Sequence, residues 1–203
     1  MKSKKQIFFI HGAESFSNHS DYLNYLKTRK VSLGKYINWR DEYLDKKLGS
    51  SFEIIRPRFP NRDNAQYAEW KLNFERYIPL LRSGVILIGS SLGAVFLAKY
   101  LSEHKFPKKL SALFLIAPPF SNKLPGDYYD SGFNLKPDLS LIENNCKNTT
   151  LLFSQDDKVV PLIHATKYAK KLPKAKIMIF KSKNGHFRIS EFPEIIKLIK
   201  EVK

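Results

Sequence analysis

The sequence predicts an α/β fold built on one doubly wound, mostly parallel sheet of about six strands with helices on both faces. Short apolar runs alternate with stretches of helical periodicity along all 203 residues, which is the pattern of repeated βαβ units. Several of these runs are apolar at nearly every position and rich in β-branched residues, as strands covered on both faces are. Polar residues follow several strand ends, and these ends meet at one edge of a parallel sheet.

The predicted elements follow in chain order. Strands are expected at residues 7–10, 52–56, in the apolar run from residue 84, and at 110–117, 149–154 and 177–180. Helices are expected at residues 20–29, 36–48, 63–82, 92–104, 161–172 and 190–200. Asp63 and Gln66 have the spacing of a capping box, Pro161 suits a first helical turn, and Ser190 is the candidate N-cap of the last helix.

Residues 120–148 are predicted to be irregular, because prolines and glycines interrupt them repeatedly. This segment is too short and too broken to form a separate cap domain. We therefore expect residues 1–203 to form a single domain.

Composition favours a globular protein of the cytoplasm. Hydrophobic residues make up 43% and charged residues 27% of the chain, which are ordinary values for a soluble domain. No apolar run reaches membrane-spanning length, and the basic N-terminus is not followed by a signal-peptide core. The single Cys146 excludes an internal disulfide and fits a reducing compartment. No cluster of metal ligands is visible, so neither a metal nor a cofactor is expected.

The net charge of +16 at pH 7 could indicate nucleic acid, an anionic membrane or an anionic substrate. Lysine far outnumbers arginine, however, and is spread along the chain, with its densest patches at residues 105–109 and 167–176. No arginine-rich tract, zinc signature or stacking-aromatic motif accompanies it. The favoured interpretation is a solvated lysine-rich surface, with no nucleic-acid partner and no membrane insertion.

The third predicted strand runs directly into a helix through Gly89-Ser90-Ser91-Leu92-Gly93. A Gly-x-Ser-x-Gly sequence at a strand-to-helix turn holds its central residue on a sharp, exposed corner. The spacing selects Ser91, since only Ser91 has glycine two residues before and two after. The Leu92 N–H then lies at a helix N-terminus, where it can stabilise an oxyanion. A motif of this length could also be an ordinary strand-to-helix loop.

Two further strand ends carry an acid and a base. Asp156-Asp157 follows the fifth strand and His186 follows the sixth. The order Ser, Asp, His is that of the α/β-hydrolase triad, and Asp156 is expected to be the more exposed aspartate. Alone, each residue has a plainer interpretation, as a helix cap or a loop histidine.

The other histidines receive smaller roles. His11 follows the first strand and is expected to shape the turn beside the oxyanion site. His19, His104 and His164 lack any motif and are expected to face solvent.

Together these motifs resemble the α/β-hydrolase superfamily, and within it the compact serine hydrolases of the YdeN and retinoblastoma-binding-protein-9 group. The matching residues are His11-Gly12, the Gly89–Gly93 turn, the run from Asp157 to Pro161, and Gly185-His186. The resemblance implies Ser91 as nucleophile, His186 as base and Asp157 as acid, with the N–H groups of Leu92 and Ala13 as oxyanion hole. Ser90 stands where many lipases have histidine, and Ala13-Glu14 where a further glycine is common.

The implied reaction is hydrolysis of a small-molecule carboxylic ester through an acyl-enzyme. A thioesterase or small peptidase could use the same triad, and a binding protein could keep the scaffold without activity. Without a cap domain, we expect a shallow pocket that prefers short acyl chains. The candidate pocket walls are Phe120, Tyr128, Tyr129, Phe133 and residues 22–26, although each could equally be core. The oligomeric state is not predicted.

Overall fold

A computed structural model describes residues 4–34, 38–121 and 131–203. Its six strands form one sheet in the order β2-β1-β3-β4-β5-β6, and all five pairings are parallel. The strands are β1 (Lys5–Ile10), β2 (Phe52–Ile55), β3 (Val85–Ser90), β4 (Leu110–Ile116), β5 (Thr149–Ser154) and β6 (Lys176–Phe180). This confirms the predicted α/β class and the parallel sheet.

Seven helices connect or cover the strands in the described residues. They are α1 (His19–Thr28), α2 (Leu44–Leu48), α3 (Tyr67–Tyr77), α4 (Leu92–Glu103), α5 (Ser140–Asn145), α6 (Ile163–Lys171) and α7 (Pro193–Glu201). The described residues contain no cap domain separate from this sheet and its helices. None of the described helices is long and apolar enough to cross a membrane.

The core lies around the central strand. Every residue of β3 is buried, as are nine of the twelve residues of α4, which follows it. Leu87 of β3 pairs with Phe8 of β1 on one side and with Leu113 of β4 on the other. Because β3 and α4 are both buried, the position of Ser91 between them is fixed.

Several predicted helix limits are wrong for local reasons. The helix expected from residue 63 begins at Tyr67, and its N-cap Gln66 makes no side-chain capping bond. The predicted capping box therefore does not form, and Asp63 instead pairs with Arg29 at 3.4 Å. At its other end the regular helix stops at Tyr77 and tightens into a short turn, Ile78–Leu80. Pro79 lies in that turn and cannot donate a backbone hydrogen bond.

Three other helices also differ from prediction. The helix expected at residues 36–48 is a wide turn, Trp39–Tyr43, followed by α2; residues 35–37 lie outside the described residues. Helix α7 is capped by Phe192 rather than Ser190 and begins at Pro193, because proline suits the first helical position. Helix α5 lies within the segment expected to be irregular, where the Asp138 carboxylate accepts the Ser140 N–H at 2.9 Å.

Candidate active site

Ser91 occupies a strained backbone conformation between β3 and α4. Its φ and ψ are 54° and −122°, in a region that residues with a side chain adopt only when their surroundings enforce it. The Ser91 N–H donates to the Ile116 carbonyl at 2.8 Å, which fixes the corner against the end of β4. The side chain is therefore held at the carboxyl edge of the sheet.

The two glycines of the motif are required by close backbone approach. A Cβ added at Gly89 would lie 2.5 Å from the Gly93 carbonyl oxygen, and one added at Gly93 would lie 2.5 Å from the Ile10 and His11 oxygens. Both distances are far inside van der Waals contact. The motif spacing therefore reflects packing of α4 against the end of β1 as well as the shape of the turn.

The turn after β1 lies directly against Ser91. A Cβ added at Gly12 would be 3.1 Å from the Ser91 Cβ. The Gly12 carbonyl accepts hydrogen bonds from His11 Nδ1 at 2.9 Å and Arg62 Nε at 3.2 Å. Since a trans peptide points its N–H away from its carbonyl, these two bonds also fix the direction of the Ala13 N–H.

His11 has the role at this turn that the sequence predicts. Its Nε2 accepts the Phe59 N–H at 3.3 Å, so Nδ1 is the nitrogen that carries the proton given to Gly12. Burial lowers the pKa of His11, and the charges of Arg62 and Arg40 add to that effect, while the Gly12 hydrogen bond opposes it. The ring is therefore a neutral structural donor.

The structure brings Asp157 and His186 together. Asp157 Oδ2 lies 2.7 Å from His186 Nδ1, and the Asp157 side chain is only 1% exposed. Its other oxygen accepts the N–H groups of Val159 at 2.8 Å and Val160 at 2.9 Å. The carboxylate is thus fixed by the backbone, and it leaves His186 Nε2 available for proton exchange.

Asp156 is the more exposed of the two aspartates, as expected, but its contacts were not predicted. It accepts hydrogen bonds from the hydroxyls of Ser154 and Ser182, and from the N–H groups of Gly185 at 3.0 Å and Lys183 at 3.2 Å. These bonds, the one from Ser154 foremost, hold the pKa of Asp156 well below its usual range. Asp156 therefore ties the end of β5 to the loop that carries His186.

The expectation that three histidines face solvent holds only for His19. His104 is half-buried and stacks on Tyr100 with ring centroids 4.5 Å apart. His164 is only 1% exposed, because α6 turns it inward, where its Nδ1 accepts the Phe120 N–H at 2.9 Å. Burial, helped by the charge of Lys167 and opposed by that of Asp157, lowers the pKa of His164 to about 4.

Ser91 and His186 open into one cleft of about 730 Å³. Ala13 and Leu92 also line it, as does Ser90, which is 6% exposed. Its apolar lining comes from Phe16, Tyr25, Leu92, Pro119 and Val159, and its charged lining from Glu14, Arg40, Arg58, Arg62, Asp63 and Arg188.

Two of the aromatic residues expected in the walls of this pocket do not line the cleft. Phe133 is fully buried in the core, and Phe120 packs edge-on against Tyr168 and does not line the cleft. Tyr128 and Tyr129 lie outside the described residues. Of residues 22–26, Tyr25 lines the cleft.

Comparisons with known proteins identify relatives in sequence and in fold. A model of the serine hydrolase family matches residues 38–200. The chain is 30% identical over 152 residues to the serine hydrolase RBBP9 of Rattus norvegicus, covering 74% of this chain and 78% of the relative. Its fold is similar to that of the ydeN gene product of B. subtilis, with a TM-score of 0.76, 17% identity and 98% of both chains covered. It is also similar to the Pyrococcus furiosus esterase Pf2001, with a TM-score of 0.59, 17% identity, and 99% and 84% covered.

Proposed function

The chain belongs to the serine hydrolase family, and on that premise we propose that it cleaves small carboxylic esters with Ser91, His186 and Asp157 as its catalytic triad. The observation that carries the proposal is the buried 2.7 Å contact between Asp157 and His186. Ser91 lies on its strained turn in the wall of the same cleft. Nucleophile, base and orienting acid are the three roles that acyl transfer needs.

In the proposed reaction, Ser91 Oγ attacks the ester carbonyl while His186 Nε2 takes the hydroxyl proton. The Asp157 carboxylate keeps the other ring nitrogen protonated and stabilises the imidazolium that forms. Collapse of the tetrahedral intermediate expels the alcohol, which receives the proton from His186. Water then attacks the acyl-enzyme with His186 as base, releasing the carboxylic acid and restoring Ser91.

The N–H groups of Leu92 and Ala13 are the proposed oxyanion hole. Leu92 is the first residue of α4, where the helix dipole favours negative charge. Ala13 lies beside Ser91, and the direction of its N–H is set by the His11 and Arg62 bonds to the Gly12 carbonyl. Loss of one such donor typically costs ~3 kcal/mol of transition-state stabilisation.

Labelling with a fluorophosphonate probe tests the nucleophile. We expect the folded protein to be labelled on Ser91, and Ser91→Ala to abolish labelling and hydrolysis of p-nitrophenyl butyrate while its circular dichroism stays unchanged. Ser90→Ala is the matched control, because it removes the neighbouring hydroxyl of the same cleft and should keep labelling. Labelling that survives Ser91→Ala and disappears in Ser90→Ala would reassign the nucleophile.

The same probe separates an enzyme from a binding protein on this scaffold. If the folded protein is not labelled, the result supports the hypothesis of a binding protein. If labelling occurs, parallel assays with a p-nitrophenyl ester, its thioester and an aminoacyl anilide distinguish an esterase from a thioesterase or small peptidase. We expect the ester to have the highest kcat/KM.

A further inference from the structure

Arginine is concentrated in the cleft out of proportion to its abundance. Only eight of the 35 basic residues of the chain are arginines, and four of these eight, Arg40, Arg58, Arg62 and Arg188, line the cleft around Ser91. Among the residues that the structure describes, no lysine lines it. A purely solvated basic surface would place the more numerous lysines there as well.

The four arginines come from three chain segments that are joined by hydrogen bonds. Arg58 and Arg62 lie in the loop after β2. Arg56, in the same loop, donates from Nε to the Arg40 carbonyl at 2.9 Å. The Trp39 N–H donates to the Ile189 carbonyl at 3.1 Å, which places Arg40 beside the segment that carries Arg188.

The strands on the far side of β3 from β2 contribute apolar residues to the cleft. Pro119 and Val159 line it from the loops after β4 and β5, which lie across β3 from β2 in the sheet. The loop after β2 therefore brings Arg58 and Arg62 to the cleft from one side of β3, and the loops after β4 and β5 bring two apolar side chains from the other.

Carboxylates do not pair with all the guanidinium groups that line the cleft. Asp63 lies in the lining but pairs with Arg29, which is outside it, and Glu14 is the other lining carboxylate near the nucleophile. Arg58 and Arg188 are exposed, and neither has a carboxylate within ion-pair distance among the described residues. Like charges gathered in this way repel one another, and an anion between them relieves the repulsion.

We infer that the cleft takes ester substrates that carry an anionic group, a carboxylate or a phosphate, bound by the arginines of its lining. Guanidinium groups bind both oxyanions through paired N–H donors, which a lysine ammonium does not reproduce. A cleft lined by one sign of charge also raises the local concentration of an oppositely charged substrate. This inference rests on the proposed function for the reaction and adds the class of substrate.

Two matched pairs of esters test the preference. Ethyl hydrogen succinate and diethyl succinate differ in charge on the acyl side, and 4-acetoxybenzoate and its methyl ester differ in charge on the alcohol side. At low salt we expect the anionic member of at least one pair to have a kcat/KM about tenfold higher or more. Added sodium chloride should reduce this ratio, because salt screens exposed charges.

Variants then locate the anion site. Arg58→Gln and Arg188→Gln should each lower the anionic-to-neutral ratio of kcat/KM about fivefold, and the double variant should bring it close to one. Arg76→Gln is the control, since it removes the same charge from an exposed position of α3 outside the cleft. It should leave both esters unaffected. Inhibition of diethyl succinate hydrolysis by free succinate or by inorganic phosphate shows which oxyanion the site prefers.

Binding to the Ser91→Ala protein separates this inference from the proposed function. Calorimetry should show the anionic member of the preferred pair bound more tightly than its neutral partner, and the difference should disappear in the added Arg58→Gln/Arg188→Gln background. Equal rates within both ester pairs, together with equal binding, would overturn the anionic preference while leaving an esterase. Preferential anion binding in a protein that hydrolyses none of the four esters would instead support the anion site and overturn the proposed reaction.

Discussion

Asp157 holds His186 with one carboxylate oxygen, at 2.7 Å from Nδ1, and is itself held through the other by the N–H groups of Val159 and Val160. The backbone turn that follows β5 therefore sets the orientation of the His186 ring. Since the carboxylate accepts from Nδ1, the tautomer with the proton on Nδ1 and a free lone pair on Nε2 is favoured.

We therefore expect Asp157→Asn to lower kcat by roughly 10³- to 10⁴-fold with little change in KM. An asparagine amide can donate to Nδ1, which stabilises the wrong tautomer of His186 and removes the charge that stabilises the imidazolium. Steady-state kinetics with p-nitrophenyl butyrate measure the loss.

Asp156→Asn is the matched control for this prediction, because it makes the same chemical change one residue away. It weakens the hydrogen bonds that hold the 182–185 segment without removing a contact to His186, so the loss in kcat should be about tenfold at most. A greater loss from Asp156→Asn than from Asp157→Asn would exchange the roles assigned to the two aspartates.

The strand-to-helix turn gives a prediction about stability. In Gly89→Ala, the new methyl group would lie 2.5 Å from the Gly93 carbonyl and 2.7 Å from the Ala94 backbone. Backbone cannot move aside as a flexible side chain can, so we expect the free energy of unfolding to fall by about 2 kcal/mol or more. Urea denaturation followed by circular dichroism measures this change.

Gly34→Ala is the comparison for that measurement. Among the described residues, a Cβ at Gly34 meets only the Ser32 Oγ, at an ordinary 3.6 Å, and the position is exposed. The substitution should change the unfolding free energy by less than about 0.5 kcal/mol. Equal effects at Gly89 and Gly34 would contradict the packing explanation of the motif.

The sequence was informative wherever a single local pattern decided the structure. The apolar runs predicted all six strands, and β5 matches its predicted limits, because strands buried on both faces have few polar residues. Helix starts were predicted less well. Gln66 and Phe192 cap their helices without a side-chain hydrogen bond. The capping residues that the sequence suggested, Asp63 and Ser190, lie before these positions.

The contents of the cleft depend on contacts between distant segments, which local patterns do not encode. Arg40, Arg58 and Arg188 lie far apart in the sequence, and only the meeting of three segments brings them to one cleft. The inward orientation of His164 depends likewise on the packing of α6 over the end of β4. The adjacent pair Asp156-Asp157 did indicate an acidic residue at this strand end. It did not predict that Asp156 accepts hydrogen bonds from the loop that carries His186.

His164 gives a prediction about pH. Burial lowers its pKa from the ordinary histidine value of 6.5 to about 4, so between these pH values the unfolded chain binds a proton that the folded chain does not. Stability from this source is fully present above pH 6.5 and is lost as the pH falls toward 4. The loss is about 3 kcal/mol for a fully desolvated imidazole.

His164→Asn tests this dependence, because the amide oxygen can still accept the Phe120 N–H and the side chain does not titrate. Urea denaturation at pH 7.5, 6, 5 and 4.5 should show that the variant loses less stability on acidification than the original protein. The same slope in both proteins would show that other groups cause the acid sensitivity.

The last prediction concerns the length of the acyl chain. Only a few apolar side chains line the cleft, among them Phe16, Tyr25, Pro119 and Val159, and four arginines share the lining with them. A methylene buried in an apolar tunnel would contribute about 0.8 kcal/mol, but a chain that leaves this small apolar area lies beside charged groups or water. With neutral p-nitrophenyl esters, kept below their aggregation concentrations, kcat/KM should therefore peak between acetate and butyrate. The Ser91→Ala protein provides the background rate for each ester. A steady rise through octanoate and decanoate would show that the acyl chain enters a deep tunnel, and the shallow cleft would then be the wrong account of specificity.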